Sequence, residues 1–287
     1  MEVNKMLAYI TKVITNMPQD WLNLTTHRLD IYNEELAKVQ FLDQFIHLAK
    51  EGNSSTAALS NLPTAYDYIR LGHPLSCVLE WAIGNINGLP AEQVISFQSK
   101  TAPILAILRT NLLAHRNTLI TYTKELPSAF DIDVLKNIYG FSFELKKVAS
   151  PADVESFNGS TIFISQQHDS SAISVSSHID FYVNMYAELG SVLLINGAEN
   201  IHYISDIQHF RRRETVAMTP HNCLNALRSL VQLPAEKSVT KNTTEHKTAV
   251  LDLIREVSGS QTTPLVASSG LSVQYAILMG LALGLNF

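Results

Sequence analysis

The sequence predicts an α/β fold in which a mainly parallel sheet is sandwiched by helices. Short apolar runs with strand character alternate with helical patterns from residue 75 to residue 195, an alternation typical of parallel strands joined by helices. Residues on either side of this region show only the helical spacing of apolar side chains. We therefore expect three parts: a helical N-terminal region over 1–62, an α/β domain over 63–218 and a helical C-terminal region over 219–287.

Five runs read as strands and four segments read as helices, one before the first strand and three between strands. The strands are predicted at Val94–Phe97, Thr118–Tyr122, 141–148, 160–164 and 191–195, and the helices at 75–86, 101–113, 130–139 and 179–189. Ligands of such sheets bind beyond the carboxyl ends of the strands. The residues that follow the strands, among them Ser99 and Asn196, are therefore predicted to meet at one edge.

Composition and charge exclude several classes of protein. The formal net charge is −5 and the pI is near 6.0, so no long-range attraction to nucleic acid or to an anionic membrane is expected. The ten histidines and two cysteines show no metal-ligand spacing, so we predict no metal site. The basic run Arg211-Arg212-Arg213 is interpreted as a solvated helix face.

The two ends of the sequence bear on the cellular location of the protein. The first residues contain no apolar signal core, which favours a cytoplasmic protein. The last 17 residues, 271–287, are mostly apolar but are interrupted by Gly280 and Gly284. A length of 17 lies at the bottom of the membrane-spanning range, so we expect a buried terminal helix and no membrane anchor.

Residues 66–74 read Tyr-Asp-Tyr-Ile-Arg-Leu-Gly-His-Pro and are followed by Leu79-Glu80. This segment resembles the Tyr-x-Tyr-x-Arg-x-x-Asn-Pro-Thr…Leu-Glu signature of the cystathionine γ-synthase and β-lyase family, pyridoxal-phosphate (PLP) enzymes of cysteine and methionine metabolism with fold type I. The resemblance spans about residues 66–259 and implies the large domain of that fold. It also implies an oligomer, because the family builds its sites across a subunit interface.

The resemblance assigns cofactor-binding roles to four residues. Tyr68 and Arg70 match the pair that holds the cofactor phosphate of a neighbouring subunit; a phenol and a guanidinium both donate hydrogen bonds to a phosphate. Ser99 matches the serine of the family's phosphate turn. Asn196 takes the place of the aspartate that keeps the pyridine nitrogen protonated.

Three departures from the family pattern point away from its chemistry. Lys100 stands where the phosphate turn has glycine, and Asn196 cannot stabilise a pyridinium charge as a carboxylate does. Asp206 falls on the Schiff-base lysine, and the sequence has no lysine between Lys147 and Lys237. We therefore predict no catalytic residue and interpret the chain as a degenerate PLP-transferase-like protein, a pseudoenzyme that acts as a scaffold or oligomer subunit.

Two other functions remain open. The chain could be a PLP-dependent C–S lyase or transferase of the trans-sulfuration type, with its lysine elsewhere in the sequence; Lys100 is one candidate amine for a Schiff base. It could also be a small-molecule or anion sensor that uses the old cofactor pocket. The expected partner is a second copy or a family relative, with neither nucleic acid nor membrane as a partner.

Overall fold

The computed structural model describes residues 2–24, 34–66, 68–127, 129–166, 175–236 and 243–284. The chain divides into two compact units, Met1–Pro234 and Ala235–Phe287. The described helices of the first unit are α1 (Val3–Asn16), α2 (Glu34–Glu51), α3 (Thr56–Ser60), α4 (Pro74–Asn87), α5 (Ala102–Leu113), α6 (Tyr203–Glu214) and α7 (Pro220–Leu230). Those of the second unit are α8 (Thr243–Ser258) and α9 (Gly270–Gly284).

Six strands form one sheet in the order β1-β6-β5-β4-β2-β3. Their bounds are β1 Val94–Phe97, β2 Thr118–Tyr122, β3 Phe143–Lys147, β4 Ser160–Gln166, β5 Phe181–Tyr186 and β6 Gly190–Ile195. β2 runs parallel to β3 and to β4, and β4 runs parallel to β5. β6 is antiparallel to both β5 and β1, so β1 points the same way as the four parallel strands. The predicted α/β fold with a mainly parallel sheet is confirmed.

Each face of the sheet contributes to its own hydrophobic core. Val94, Phe163 and Leu194 pack in a core that also contains buried side chains of α1, α2, α4 and α7. Ile95, Ile162 and the other alternate residues pack in a second core with α5 and α6. Because the N-terminal helices and α7 share one core with the sheet, they belong to the first unit. The three-part division at residues 62 and 218 stays a prediction about chain organisation.

The helix predicted over 179–189 is wrong, because this segment contains strand β5. All six residues of Phe181–Tyr186 are buried, and a short run that is apolar on both faces does not reveal its period. Residues 187–189 then connect β5 to β6 as a hairpin. A parallel connection needs a crossover of a dozen or more residues, so this short link makes β6 antiparallel. The helix predicted over 130–139 is also shorter, with a π-helical turn at Val134–Ile138.

Gly190 permits the close approach of β6 to the end of β1. Its φ is +131°, and a Cβ built there would lie 2.3 Å from the carbonyl oxygen of Phe97. Any side chain would collide with this backbone atom, and the conformation itself favours glycine. The hairpin therefore depends on glycine at this position.

A buried ionic cluster joins the helices to the sheet. The Glu80 carboxylate accepts hydrogen bonds from Lys38 Nζ at 2.6 Å and from the N–H and Oγ of Ser96 at 2.8 and 2.7 Å. Arg211 Nη1 lies 3.4 Å from Glu80 Oε1. All four residues are buried. Arg211 therefore does not belong to the solvated face predicted for the 211–213 run; only Arg212 and Arg213 are exposed.

The pKa of Glu80 results from opposed effects. Burial alone raises it, but the charges of Lys38 and Arg211 and the hydrogen bonds from Lys38 and Ser96 outweigh burial, so the pKa is lowered. The carboxylate is thus ionised in the folded state, and an ionised group in an apolar interior must be fully paired.

The second unit contains an apolar helix, α9, that is more exposed than the sequence predicts. α9 has no charged residue, yet Leu271, Leu278 and Leu281 are each more than half exposed. The burial predicted for 271–287 is therefore wrong for the described part of the segment. Within the described residues, no helix has both the length and the apolar character needed to cross a membrane.

Replacement of Lys38 by methionine tests the ionic cluster. K38M removes the shortest contact of a buried carboxylate, and we expect the free energy of unfolding to fall by about 3–5 kcal/mol. Urea unfolding at pH 7 measures this change. The control is K5M, which removes a lysine that is paired with Glu2 on the surface and should change stability by less than about 0.5 kcal/mol. Equal stability of the two variants would show that the cluster is not a stabilising element.

Candidate functional site

Residues 68–73, within the segment that carries the family-like motif, form a tight loop before α4, the Tyr68 loop. The N–H groups of Leu71 and Gly72 both donate to the carbonyl of Tyr68, at 2.8 and 3.1 Å. Gly72 has a φ of +135°, and a Cβ there would lie 2.9 Å from the Tyr66 ring. A residue with a side chain would strain this turn, so the glycine fixes the shape of the loop.

Backbone contacts hold this loop near the carboxyl end of β1. Ala217 N donates to Ile69 O at 3.0 Å, and Gln98 N, just after β1, donates to Val216 O at 3.1 Å. Arg211 Nη2 donates to Leu71 O. The two-residue strip 216–217 therefore bridges the loop and the strand end, and Arg211 ties the loop to the ionic cluster.

Tyr68 and Arg70 lie together on this loop. The Arg70 guanidinium carbon is 5.7 Å from the centre of the Tyr68 ring, within the range of a cation–π interaction. Arg70 is half-buried and has no ion pair or hydrogen bond with another described residue; its neighbour Asp67 lies outside the described residues. The donors of this guanidinium can therefore be met by solvent or by an anion.

His73 caps α4 at the end of the loop. Its Nδ1 accepts from Ser76 N, and Ser76 Oγ accepts from His73 N, which together form a capping box. Its Nε2 donates to the carbonyl of Met218 at 2.7 Å. Burial lowers the pKa of His73 to about 4, more than the Met218 hydrogen bond and Glu80 raise it. The imidazole is therefore neutral at pH 7.

Ser99 lies at the carboxyl edge of the sheet, as predicted from its place after β1. Its Oγ accepts from the N–H groups of Thr101 and Ala102 at 3.2 and 3.1 Å, and its carbonyl accepts from Ser191 Oγ at 2.6 Å. The N–H groups of Thr101 and of Ala102, the first residue of α5, are thus bonded within the chain. In the family that the motif resembles, the corresponding turn directs its N–H groups at the cofactor phosphate.

Asn196 does not join Ser99, which corrects the prediction that all strand ends meet at one edge. β6 is antiparallel, so Asn196 follows it at the opposite edge, where Asn196 N donates to Asp180 O. Its amide donates to the carbonyls of Ser176 and Ile179 at 3.0 and 2.8 Å. A six-residue strand separates the two edges by roughly 17 Å. Asp206, in the first turn of α6, follows Asn196 on that far side.

The lysines near the carboxyl edge of the sheet form ion pairs with glutamates or are exposed. Lys100 Nζ lies 3.9 Å from Glu188 Oε1, and Lys146 and Lys147 pair with Glu155 and Glu125 at 3.1 Å. The sequence places no lysine in the segments that follow β4 and β5. Ser99 Oγ is already hydrogen-bonded at the start of α5. These described residues therefore do not fit a PLP group held covalently as in the family. Among the described residues, no group of three His, Cys, Asp or Glu could bind a metal ion.

Sequence reasoning missed three residues that position this site. Lys38 and Arg211 meet Glu80 across 42 and 131 positions of the chain, and Ala217 bonds to Ile69 through its backbone alone. The only signal was Leu79-Glu80, since an acid in the middle of an apolar helical pattern predicts a buried partner.

Comparison with known proteins finds structural similarity but no match in sequence. No protein-family model and no curated protein matches the chain. Among solved structures, metB from Corynebacterium glutamicum is 11% identical, with 87% of this chain and 68% of that chain covered and a TM-score of 0.42. Cystathionine gamma synthase from Xanthomonas oryzae pv. oryzae is 12% identical, with 78% and 69% covered and a TM-score of 0.44. Cystathionine gamma-lyase from yeast is 12% identical, with 78% and 62% covered and a TM-score of 0.44. At these values the similarity does not establish a shared function.

The lowered pKa of His73 predicts a loss of stability in mild acid. The unfolded chain binds a proton near pH 6.5 and the folded chain only near pH 4, so this contribution is complete above pH 6.5 and is lost as the pH falls toward 4. Between pH 7 and 4.5 the loss amounts to about 2.5 kcal/mol.

His73→Asn tests this assignment, because asparagine also caps helices well but does not titrate. Urea unfolding at pH 7 and pH 4.5 should show a smaller pH dependence in H73N than in the wild type. H47N, at an exposed histidine of α2, should leave the pH dependence unchanged. The assignment fails if H73N and the wild type lose stability equally on acidification.

Proposed function

We propose that the protein is a non-catalytic, PLP-transferase-like pseudoenzyme that acts as a scaffold or oligomer subunit and forms no Schiff base with a lysine of its own. The observation that carries the proposal is the set of residues at the carboxyl edge of the sheet. The segments that follow β4 and β5 contain no lysine, and Lys100 beside Ser99 lies 3.9 Å from Glu188. Asn196 and Asp206, to which the resemblance gives the places of the aspartate and the lysine, do not add to this edge, because β6 is antiparallel and Asn196 follows it on the other side.

The Ser99 turn adds independent support. The N–H groups of Thr101 and Ala102 already donate to Ser99 Oγ, so a phosphate would have to displace this hydroxyl. Lys100 brings a positive charge to the same turn, but its amine is only partly exposed and faces Glu188. A covalent anchor, an electron sink and an open phosphate turn have separate physical roles, and the residues that the structure describes at this edge form none of the three; residues 167–174, which follow β4, lie outside that description.

An anion sensor is the second candidate, and the state of Arg70 favours it. Its guanidinium is unpaired within the described residues and lies against Tyr68, close to the carboxyl end of β1. In this role Tyr68 and Arg70 bind a phosphate or carboxylate group without chemistry, either in their own subunit or in a neighbouring one. An active lyase or transferase would need a lysine elsewhere in the sequence as its amine, and Lys100 is one candidate.

The second unit supplies the surface for the proposed assembly. α9 is uncharged, and its exposed leucines lie in a unit whose other helix, α8, also exposes Leu253 and Val257. Burial of one half-exposed leucine side chain contributes on the order of 1–2 kcal/mol, so several such residues suffice to stabilise association. We propose a second copy of the chain as the partner, because two-fold pairing brings the same uncharged patch of both copies together.

Reduction of a PLP mixture tests the absence of a Schiff base. The protein is incubated with excess PLP, reduced with borohydride, digested and mapped by mass spectrometry. We expect only scattered, substoichiometric labelling of exposed lysines and no turnover of cystathionine or methionine. The variants K100R and K146R should each lose only the label on the replaced lysine, because neither lysine lies in a formed cofactor site.

Two results would contradict the proposal in different ways. A stoichiometric adduct on one lysine together with turnover would establish the lyase or transferase. An adduct concentrated on Lys100 and lost only in K100R would establish a rebuilt site at the Ser99 turn.

Light scattering coupled to size-exclusion chromatography tests the assembly. We expect the wild type to be a dimer or larger at micromolar concentration. L278E combined with L281E places two charges on α9 and should shift the protein to a monomer, because burial of unpaired carboxylates is unfavourable. The control L113E changes a leucine that is 76% exposed on α5 and should keep the wild-type mass. A monomeric wild type would rule out self-association.

A further inference from the structure

A cavity of about 280 Å³ lies beneath the Tyr68 loop, apart from the Ser99 turn. Its walls come from the 3-10 turn Gln19–Leu22, from the chain after α3 and from the loop itself. The volume is close to the lower end of ordinary ligand sites, so the cavity is suited to a small molecule.

Aromatic side chains dominate the larger residues that line this cavity. Trp21, Phe41, Tyr66 and Tyr68 all contribute. Trp21 and Phe41 pack edge to face with ring centres 5.8 Å apart, which fixes the floor. Aromatic rings attract cations through their electron-rich faces, most strongly where water is partly excluded.

The described residues that line the cavity carry a net negative charge at pH 7. Asp20 lines the cavity and is exposed at its rim, while no lysine or arginine is among the described lining residues. His73 also lines it, but burial lowers the pKa of this imidazole to about 4, so it carries no charge at pH 7. Arg70 contacts the Tyr68 ring but does not line the cavity.

We infer that this cavity binds a small organic cation, an amine or quaternary ammonium compound of about the size of choline. Asp20 supplies the counter-charge, and the half-buried rings of Tyr66 and Tyr68 supply most of the surface on which a methylated or alkyl ammonium group packs. The buried rings of Trp21 and Phe41 lie behind that surface. The site goes beyond the proposed function, because it does not depend on the absence of a Schiff base or on the assembly of two copies.

Isothermal titration of the full-length protein with two matched probes tests the inference. Choline chloride is compared with 3,3-dimethylbutan-1-ol, which has the same shape without the charge, at constant ionic strength. We expect saturable binding of choline and binding of the alcohol that is at least about fivefold weaker. A change in tryptophan fluorescence, to which Trp21 contributes together with Trp81, should follow the same titration curve.

Variants separate the charge from the rings. D20N should weaken choline binding about fivefold or more, whereas D43N, an exposed acid of α2 outside the cavity, should leave it unchanged. Y68F should bind as the wild type and Y68L more weakly, because only the ring is required. Melting curves confirm that each variant is folded.

Several outcomes would overturn the inference. The inference is wrong if the alcohol and choline bind equally well or if D20N leaves the affinity for choline unchanged. It is also wrong if choline shows no saturable binding up to about 10 mM, because a specific site would bind it more tightly than that. Competition by inorganic phosphate would also overturn it, since it would assign an anion to the cavity. None of these results bears on whether the protein forms a Schiff base.

Discussion

The burial of the Glu80 carboxylate is the constraint on which the first unit depends. An ionised group inside an apolar core has to be met by donors from every side, since a missing partner leaves an unpaired charge. Lys38 reaches it from α2, Ser96 from β1 and Arg211 from α6. The N-terminal helices, the sheet and the last helix of its second layer are therefore aligned on one carboxylate, and none can shift alone. Through Leu71, Arg211 extends the same constraint to the Tyr68 loop.

The sequence was most informative where the local pattern alone determines the structure. β1 and β2 have the predicted bounds, because short runs rich in β-branched and aromatic residues between polar residues are typical of strands. β5 was misassigned because a fully buried strand and a buried helix share the same composition. This single error had a large effect, since a helix before residue 190 would have made β6 parallel. The edge assigned to Asn196 followed from that error and not from the residue itself.

The candidate site could be predicted only in part, for a related reason. The loop that contains Tyr68 and Arg70 was recognisable from its own residues, and Ser99 from its place after a strand. The contacts that position them are long-range: the strip 216–217 is joined to the loop by backbone atoms, which carry no sequence signal. The cavity near Trp21 was equally invisible, because its walls come from segments that have no common pattern. Such sites become apparent only when the chain is folded.

The β5–β6 hairpin also has a consequence for the order in which the sheet assembles. It closes a loop of three residues, whereas the partner residues of β1 and β6 are 94 to 100 positions apart in the chain. Loop closure and hairpin formation take microseconds, but pairing between distant segments is slow because more chain entropy is lost before any contact is gained. We expect β5 and β6 to pair first and β1 to add last. The edge at which the Tyr68 loop, Gln98 and Ser99 come together would then be the final part of the sheet to form, and the first to open.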